Sequence, residues 1–255
     1  MKHILKCLGG SRAYGLNNVG SDFDYRGIFI DTEINKVIIS LDRFEHQQFK
    51  AGEQDEFYFE LRHYLCSLRK TNSQALELLF IEQESIQEKS WEYDLIVKNR
   101  LSLIDVEKLY KSIKGYVFNE IRIAFGGITG PLGSKRKTAI ENFGYSPKNV
   151  VQALRLMYST GKLFSKGYFP VNILKEDSFF AGRLMRIKNS SKIFEINELR
   201  EDIRIEEDIL DRSFNNRSFN YKFNEDIAND LCLKIYSPVI QALITDQRII
   251  ELYAE

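Results

Sequence analysis

Gly9-Gly10-Ser11-Arg12-Ala13-Tyr14-Gly15, followed after a polar interval by Ser21-Asp22-Phe23-Asp24-Tyr25-Arg26-Gly27, is the stretch of this chain from which its fold can be read. Upstream, His3 to Leu8 has the apolar content of a short β-strand that runs directly into the two glycines. Such a break suits a tight turn or the close approach of a ligand. Downstream, Phe23 to Ile30 predicts a second strand. Val37 to Leu41 and Glu56 to Phe59 carry the β-branched and aromatic residues of two more, with Gly52 to Glu56 as a connecting turn. The first part of the chain is therefore expected to hold a small mixed sheet.

On a strand, residues two apart point to the same face, so Asp22 and Asp24 are expected side by side with Phe23 turned to the core. Two carboxylates so close repel, and a hard divalent cation between them relieves the repulsion. Magnesium suits the site, with manganese as a substitute. A cation held in this way also serves phosphoryl chemistry, in which two metals clamp the attacking and leaving oxygens. Gly10 and Ser11 fall between a strand and an expected helix, where backbone N–H groups and the Ser11 hydroxyl can meet nucleotide phosphates. No Gly-Lys-Ser/Thr follows, which excludes a Walker loop. Arg12 reads equally as a phosphate ligand or as a surface residue tied to a carboxylate. Arg26 shares the strand face of Asp24 and reads as its ion-pair partner in preference to a nucleotide contact. Tyr14 reads as packing of the turn in preference to stacking on a base.

Gly10-Ser11, ten intervening positions and then Asp22-Phe23-Asp24 resemble the signature of the DNA polymerase β nucleotidyltransferase superfamily. The longer strings, Gly-Ser-Arg-Ala-Tyr-Gly and Ser-Asp-x-Asp-x-Arg-Gly, resemble a narrower branch of nucleotidyltransferases that includes a member associated with an RNA-repair pathway. That resemblance implies a third metal carboxylate, several residues before a helix that begins near Leu-Arg. Asp55 stands at this offset from Leu61-Arg62, and a register error of one residue would exchange it for Glu56. The resemblance continues more thinly through Glu77 to Phe80 and from Pro147 to Leu156. There it assigns Lys148 and Arg155, two helical turns apart, to the triphosphate or base.

What the resemblance implies is a metal-dependent nucleotidyltransferase of EC 2.7.7 type that moves an NMP from an NTP to an acceptor hydroxyl and releases pyrophosphate. Asp22, Asp24 and Asp55 would hold two Mg²⁺ ions, and Gly10, Ser11, Arg12, Lys148 and Arg155 would bind the nucleotide. The expected acceptor is an RNA 3′ end, tRNA among them. The alternatives are a protein side chain, as in antitoxin-like adenylyltransferases, and a non-catalytic nucleotide-sensing module. Many superfamily members carry a helix before the catalytic strand. Here the C-terminal helices would have to supply that cover.

From Glu60 the apolar period lengthens. Leu61, Tyr64, Leu65 and Leu68 mark one helix, and Asn72-Ser73 caps another through Ala75, Leu76, Leu79 and Phe80. Farther on, Val106, Leu109, Tyr110, Ile113 and Val117 form one stripe, and Val150, Val151, Leu154 and Met157 form a second. The expected class is α+β: a polymerase β-like catalytic domain over residues 1–100, then a mainly helical domain over residues 101–255. Gly126 to Ser134 reads as a loop, and the following Lys135-Arg136-Lys137 as solvated surface or an acceptor contact.

A formal net charge of zero argues against holding long nucleic acid by bulk electrostatics. Cys7, Cys66 and Cys232 are widely spaced among apolar neighbours and read as buried free thiols. His3, His46 and His63 show no zincin spacing. The first residues do not resemble a signal peptide and no run has the ~20 apolar residues of a membrane helix, so a soluble cytoplasmic protein is expected.

Overall fold

The computed structural model describes residues 1–33, 47–51, 54–127, 134–189 and 194–245. In chain order the elements are β1 (Lys2–Leu8), α1 (Gly10–Ala13), β2 (Phe23–Ile30), β3 (Gln47–Ala51), β4 (Gln54–Glu60), α2 (Leu61–Arg69), α3 (Ser73–Leu78), β5 (Ile86–Lys89) and α4 (Trp91–Lys98). The helices α5 (Val106–Ala124), α6 (Ser134–Phe143), α7 (Pro147–Lys166), α8 (Ile173–Glu176), α9 (Ser178–Lys188), α10 (Ile196–Asn215) and α11 (Glu225–Thr245) follow. The class is α+β. The strand expected over Val37 to Leu41 lies outside the described residues, as do residues 128–133 of the glycine-rich stretch.

The chain forms two compact units. One comprises Met1–Arg12, Gly20–Asp105 and the segment from Tyr221 onward; the other comprises Ala13–Val19 and Val106–Asn220. This division differs from the expected cut at residue 100, because α11 packs with α2 and α4 and so rejoins the sheet unit.

Among the described residues the sheet has five strands in the order β3-β4-β2-β1-β5. β1 pairs antiparallel with both β2 and β5, β3 pairs antiparallel with β4, and β2 and β4 run parallel. A register shift between His3 and Leu5 marks a bulge in β1. Along β2 and β4 burial rises with chain direction. Asp24 and Asp55 are half-buried near the strand starts, whereas Ile28, Phe29, Ile30, Tyr58, Phe59 and Glu60 are buried at the ends. The apolar half anchors the sheet and leaves the polar half open to chemistry.

Glu60 stops β4 and starts α2. Its carboxylate accepts from the backbone N–H groups of Arg62 and His63, at 2.9 and 3.1 Å, filling two of the donors that a helix start leaves unmet. Arg62 Nε reaches the other carboxylate oxygen at 2.9 Å, and the Tyr236 hydroxyl from α11 donates to that oxygen too. The expected stripe of Leu61, Tyr64, Leu65 and Leu68 is buried on α2. Asn72 caps α3 through Gln74 and Ala75. Ala228, Leu231, Ile235 and Tyr236 form the buried stripe of α11. Cys7 is buried and free as expected, whereas Cys66 and Cys232 are free but only half-buried.

In the second unit α7 is the central helix, packed by α5, α9 and α10. Its burial extends well beyond the Val150, Val151, Leu154 and Met157 stripe, because neighbours surround it. Tyr110 stacks on Phe214 at 4.0 Å, and Lys114 bridges Glu207 and Asp211. Burial, reinforced by Asp177 and Asp202 and partly offset by Lys162, pushes the Glu206 carboxyl up to about 7. Among the described residues, no helix is long and apolar enough to cross a membrane.

Removing the Tyr236 hydroxyl deprives a buried carboxylate of one donor. Tyr236→Phe is therefore expected to lower stability by about 1–3 kcal/mol in urea unfolding, and an unchanged midpoint would remove Glu60 as the tie between α11 and the sheet. A carboxyl raised by burial costs nothing below its unfolded pKa and carries its full penalty above the folded one. Glu206→Gln should therefore leave stability unchanged near about pH 4 and raise it by about 2 kcal/mol near about pH 8. Equal stability of variant and parent at the higher pH would contradict the burial of that group.

Candidate active site

The antiparallel pairing of β1 with β2 sets Leu8 opposite Tyr25, so the chain leaving β1 passes the start of β2. There the Gly9 N–H donates to the Asp24 carbonyl at 2.7 Å. Gly10 has φ +58°, and a Cβ on it would lie 2.0 Å from Asp24 Oδ2. A Cβ on Gly9 would lie 2.5 Å from Arg26 Cγ. The glycine pair thus admits the Asp24 carboxylate and the Arg26 stem to positions that any side chain would block.

The parallel pairing of β2 with β4 sets Asp24 directly opposite Asp55, and paired residues project from the same face. Glu56 falls opposite Tyr25 on the other face, where the Tyr58 hydroxyl donates to it at 2.8 Å. The register therefore puts Asp55, and not Glu56, beside Asp24. Arg26 follows Asp24 by two and shares its face. Its Nη2 stands 3.6 Å from Asp24 Oδ1 and 3.8 Å from Asp55 Oδ2, and its Nη1 donates to the carbonyls of Tyr25 and Asp55 at 2.9 and 3.2 Å.

Asp22 is exposed and immediately precedes β2. Among the described residues, no three His, Cys, Asp or Glu side chains gather into a metal-binding group. What the structure brings together is the Asp24–Asp55 pair, with a guanidinium standing between the carboxylates as a cation would. A donor set of two apposed carboxylates, backed by a glycine turn and open to solvent, has the chemistry of a divalent-cation site.

Arg12 donates to the carbonyls of Ser21 and Asp22, at 2.8 and 3.2 Å, and lies over the Phe23 ring at 3.6 Å. It braces the approach to β2 through main-chain oxygens. Ser11 is half-buried on α1, a helix of four residues. A helix this short has little macrodipole, so what the turn can offer a phosphate is its backbone N–H groups and the Ser11 hydroxyl.

Lys148 and Arg155 both lie on α7 in the second unit. Lys148 is exposed in the first turn, whereas Arg155 is fully buried, its guanidinium 3.7 Å over the ring of Tyr14. Tyr14 thus packs as expected, within the short Ala13–Val19 piece of that unit. Of the basic run, Arg136 and Lys137 are exposed on α6, and the Lys135 side chain lies outside the described residues.

Two contributors had gone unforeseen. Gln48 Nε2 donates to Asp55 Oδ1 at 3.3 Å, from a strand the pattern of the sequence did not mark. Gly9 reads in the sequence as part of a tight turn or of a ligand's approach, and its contact with the Arg26 stem is a further role. Its signal lay in the pair Gly9-Gly10, two adjacent residues without side chains beside a strand that carries large polar groups.

A glycine turn thus closes over a strand aspartate, and a second aspartate stands in register on a parallel neighbour. Residues 1–103 match the RNA repair pathway DNA polymerase beta family, consistent with a polymerase β superfamily nucleotidyltransferase. A comparison of the chain with curated proteins finds no match.

Because a Cβ at residue 10 collides with Asp24 and the backbone there is left-handed, Gly10→Ala is expected to cost about 2–3 kcal/mol in urea unfolding. An unaltered midpoint would show that the Asp24 carboxylate does not lie against the turn.

Proposed function

We propose that the chain transfers an NMP from an NTP to an acceptor hydroxyl, with pyrophosphate as the leaving group and an RNA 3′ end, tRNA among them, as acceptor. The observation that carries this is the register pairing of Asp24 with Asp55 beneath the Gly10 turn. In this reading Asp24, Asp55 and the exposed Asp22 hold Mg²⁺, for which Mn²⁺ can substitute. The chemistry supplied by the bound ions is positive charge beside the acceptor oxygen and beside the departing pyrophosphate.

The residues of the chain do the remaining work. Backbone N–H groups at Gly10 and Ser11, with the Ser11 hydroxyl, orient the triphosphate. Asp55 takes the proton of the acceptor hydroxyl. The acceptor oxygen then bonds to the α-phosphorus, the bond from that phosphorus to the bridging oxygen breaks, and pyrophosphate departs with the electron pair. Arg12 serves by fixing the segment that carries Asp22. Lys148 and Arg155 as nucleotide contacts rest on the family resemblance alone. A zero net charge also suits a protein acceptor.

The test is incubation with each radiolabelled NTP, Mg²⁺ and either total RNA or total protein. Label is expected in the RNA pool, to vanish with EDTA and to return with Mg²⁺ or Mn²⁺. Asp24→Asn, Asp55→Asn and Asp22→Ala should each reduce it to background while retaining the far-UV signature of the fold. Label in protein instead would move the acceptor to a side chain. Label in neither pool, or full turnover by Asp24→Asn, would overturn nucleotidyl transfer at this site.

A further inference from the structure

We propose that Arg26 is a positioning residue whose fixed charge sets how tightly the Asp24–Asp55 pair takes a divalent cation. The inference rests on the assignment of those two carboxylates as cation ligands.

Three constraints hold the Arg26 side chain in place. Its stem runs against the Cα of Gly9, in space that a Cβ would occupy. Its Nη1 is tied to the carbonyls of Tyr25 and Asp55. Its Nη2 then falls between the two carboxylates, at 3.6 and 3.8 Å. Those distances are too long for the forked hydrogen bond that Arg makes when it saturates a carboxylate. The guanidinium balances charge without capping the oxygens.

The register of β2 and β4 forces two negative groups together, and one positive charge beside both lowers the net charge of the cluster from two negative to one. A divalent cation arriving at the pair meets a net charge of one, not two, and also meets the guanidinium itself. Because Nη1 is anchored to main-chain carbonyls, the side chain cannot swing away without losing those bonds. Arg26 therefore stabilises the cation-free site and weakens cation binding. The triphosphate, which brings further negative charge, would restore what Arg26 takes away.

The test reads Mn²⁺ binding directly, by loss of the free-ion electron paramagnetic resonance signal, with no nucleotide present. Arg26→Met should bind Mn²⁺ about tenfold more tightly than the parent, the size expected for one charge removed beside a partly solvated divalent site. Arg26→Gln, a second neutral variant with a polar side chain, serves where Arg26→Met does not fold. Arg26→Lys retains the charge and should stay near the parent value. Added Mn²⁺ should also raise the melting temperature of the neutral variants more than that of the parent, which a merely structural arginine would not produce. Unchanged or weaker Mn²⁺ binding in the neutral variants, or equal tightening in Arg26→Lys, would overturn the proposal while Asp24→Asn still lowers binding. If neither Asp24→Asn nor Asp55→Asn lowers binding, the cation site itself fails and the proposal with it.

Discussion

The hydrogen bond from the Gly9 N–H to the Asp24 carbonyl, 2.7 Å long, closes the antiparallel pairing of β1 and β2 at the end where chemistry can occur. It brings the left-handed Gly10 against the Asp24 carboxylate and the flat back of Gly9 against the Arg26 stem. From there each further position follows by strand geometry. Arg26 shares the face of Asp24 because it is two residues on, and Asp55 joins them because β4 runs parallel in register. The first bond holds the glycine turn against a carboxylate pair and guanidinium that the β2–β4 register assembles.

The same strands show how a charged cluster is tolerated in a sheet. Two carboxylates and a guanidinium buried together would incur desolvation that their attraction repays only in part. Here they sit half-solvated at one end of β2 and β4, while Ile28, Ile30 and Phe59 bury the other end. One pair of strands thus has an apolar end that supplies stability and a polar end that carries the charged cluster.

Much of this was legible beforehand. The bounds of β2, the period change at Glu60 and the cap at Asn72 follow from local chemistry, and local chemistry is what a single sequence carries. Asp55 against Glu56 was a question of register, which depends on a parallel partner thirty-one residues away, and only pairing decides it. β3 escaped notice because Gln47 and Gln48 have no strand propensity to speak of and owe their place to the neighbouring β4. That C-terminal helices return to the sheet unit was expected from the missing helix before β1, but no pattern told which helix returns or that it packs on α2 and α4. An amphipathic stripe states that a face is buried and is silent about what buries it. Arg12 shows the limit at a site, since nothing in the sequence tells that its guanidinium reaches the carbonyls of Ser21 and Asp22.

The sheet unit is discontinuous: the chain leaves it after Asp105 and rejoins it at Tyr221. During synthesis, every strand and both helices that α11 contacts emerge before the segment that carries Tyr236 exists. Until then the Glu60 carboxylate must look to water for its remaining donor, and the apolar surface that Leu231 and Ile235 will cover stays wet. Completion of the sheet unit is thus a late, long-range event of high contact order. A nascent chain can show a formed glycine turn well before the fold that holds it is closed.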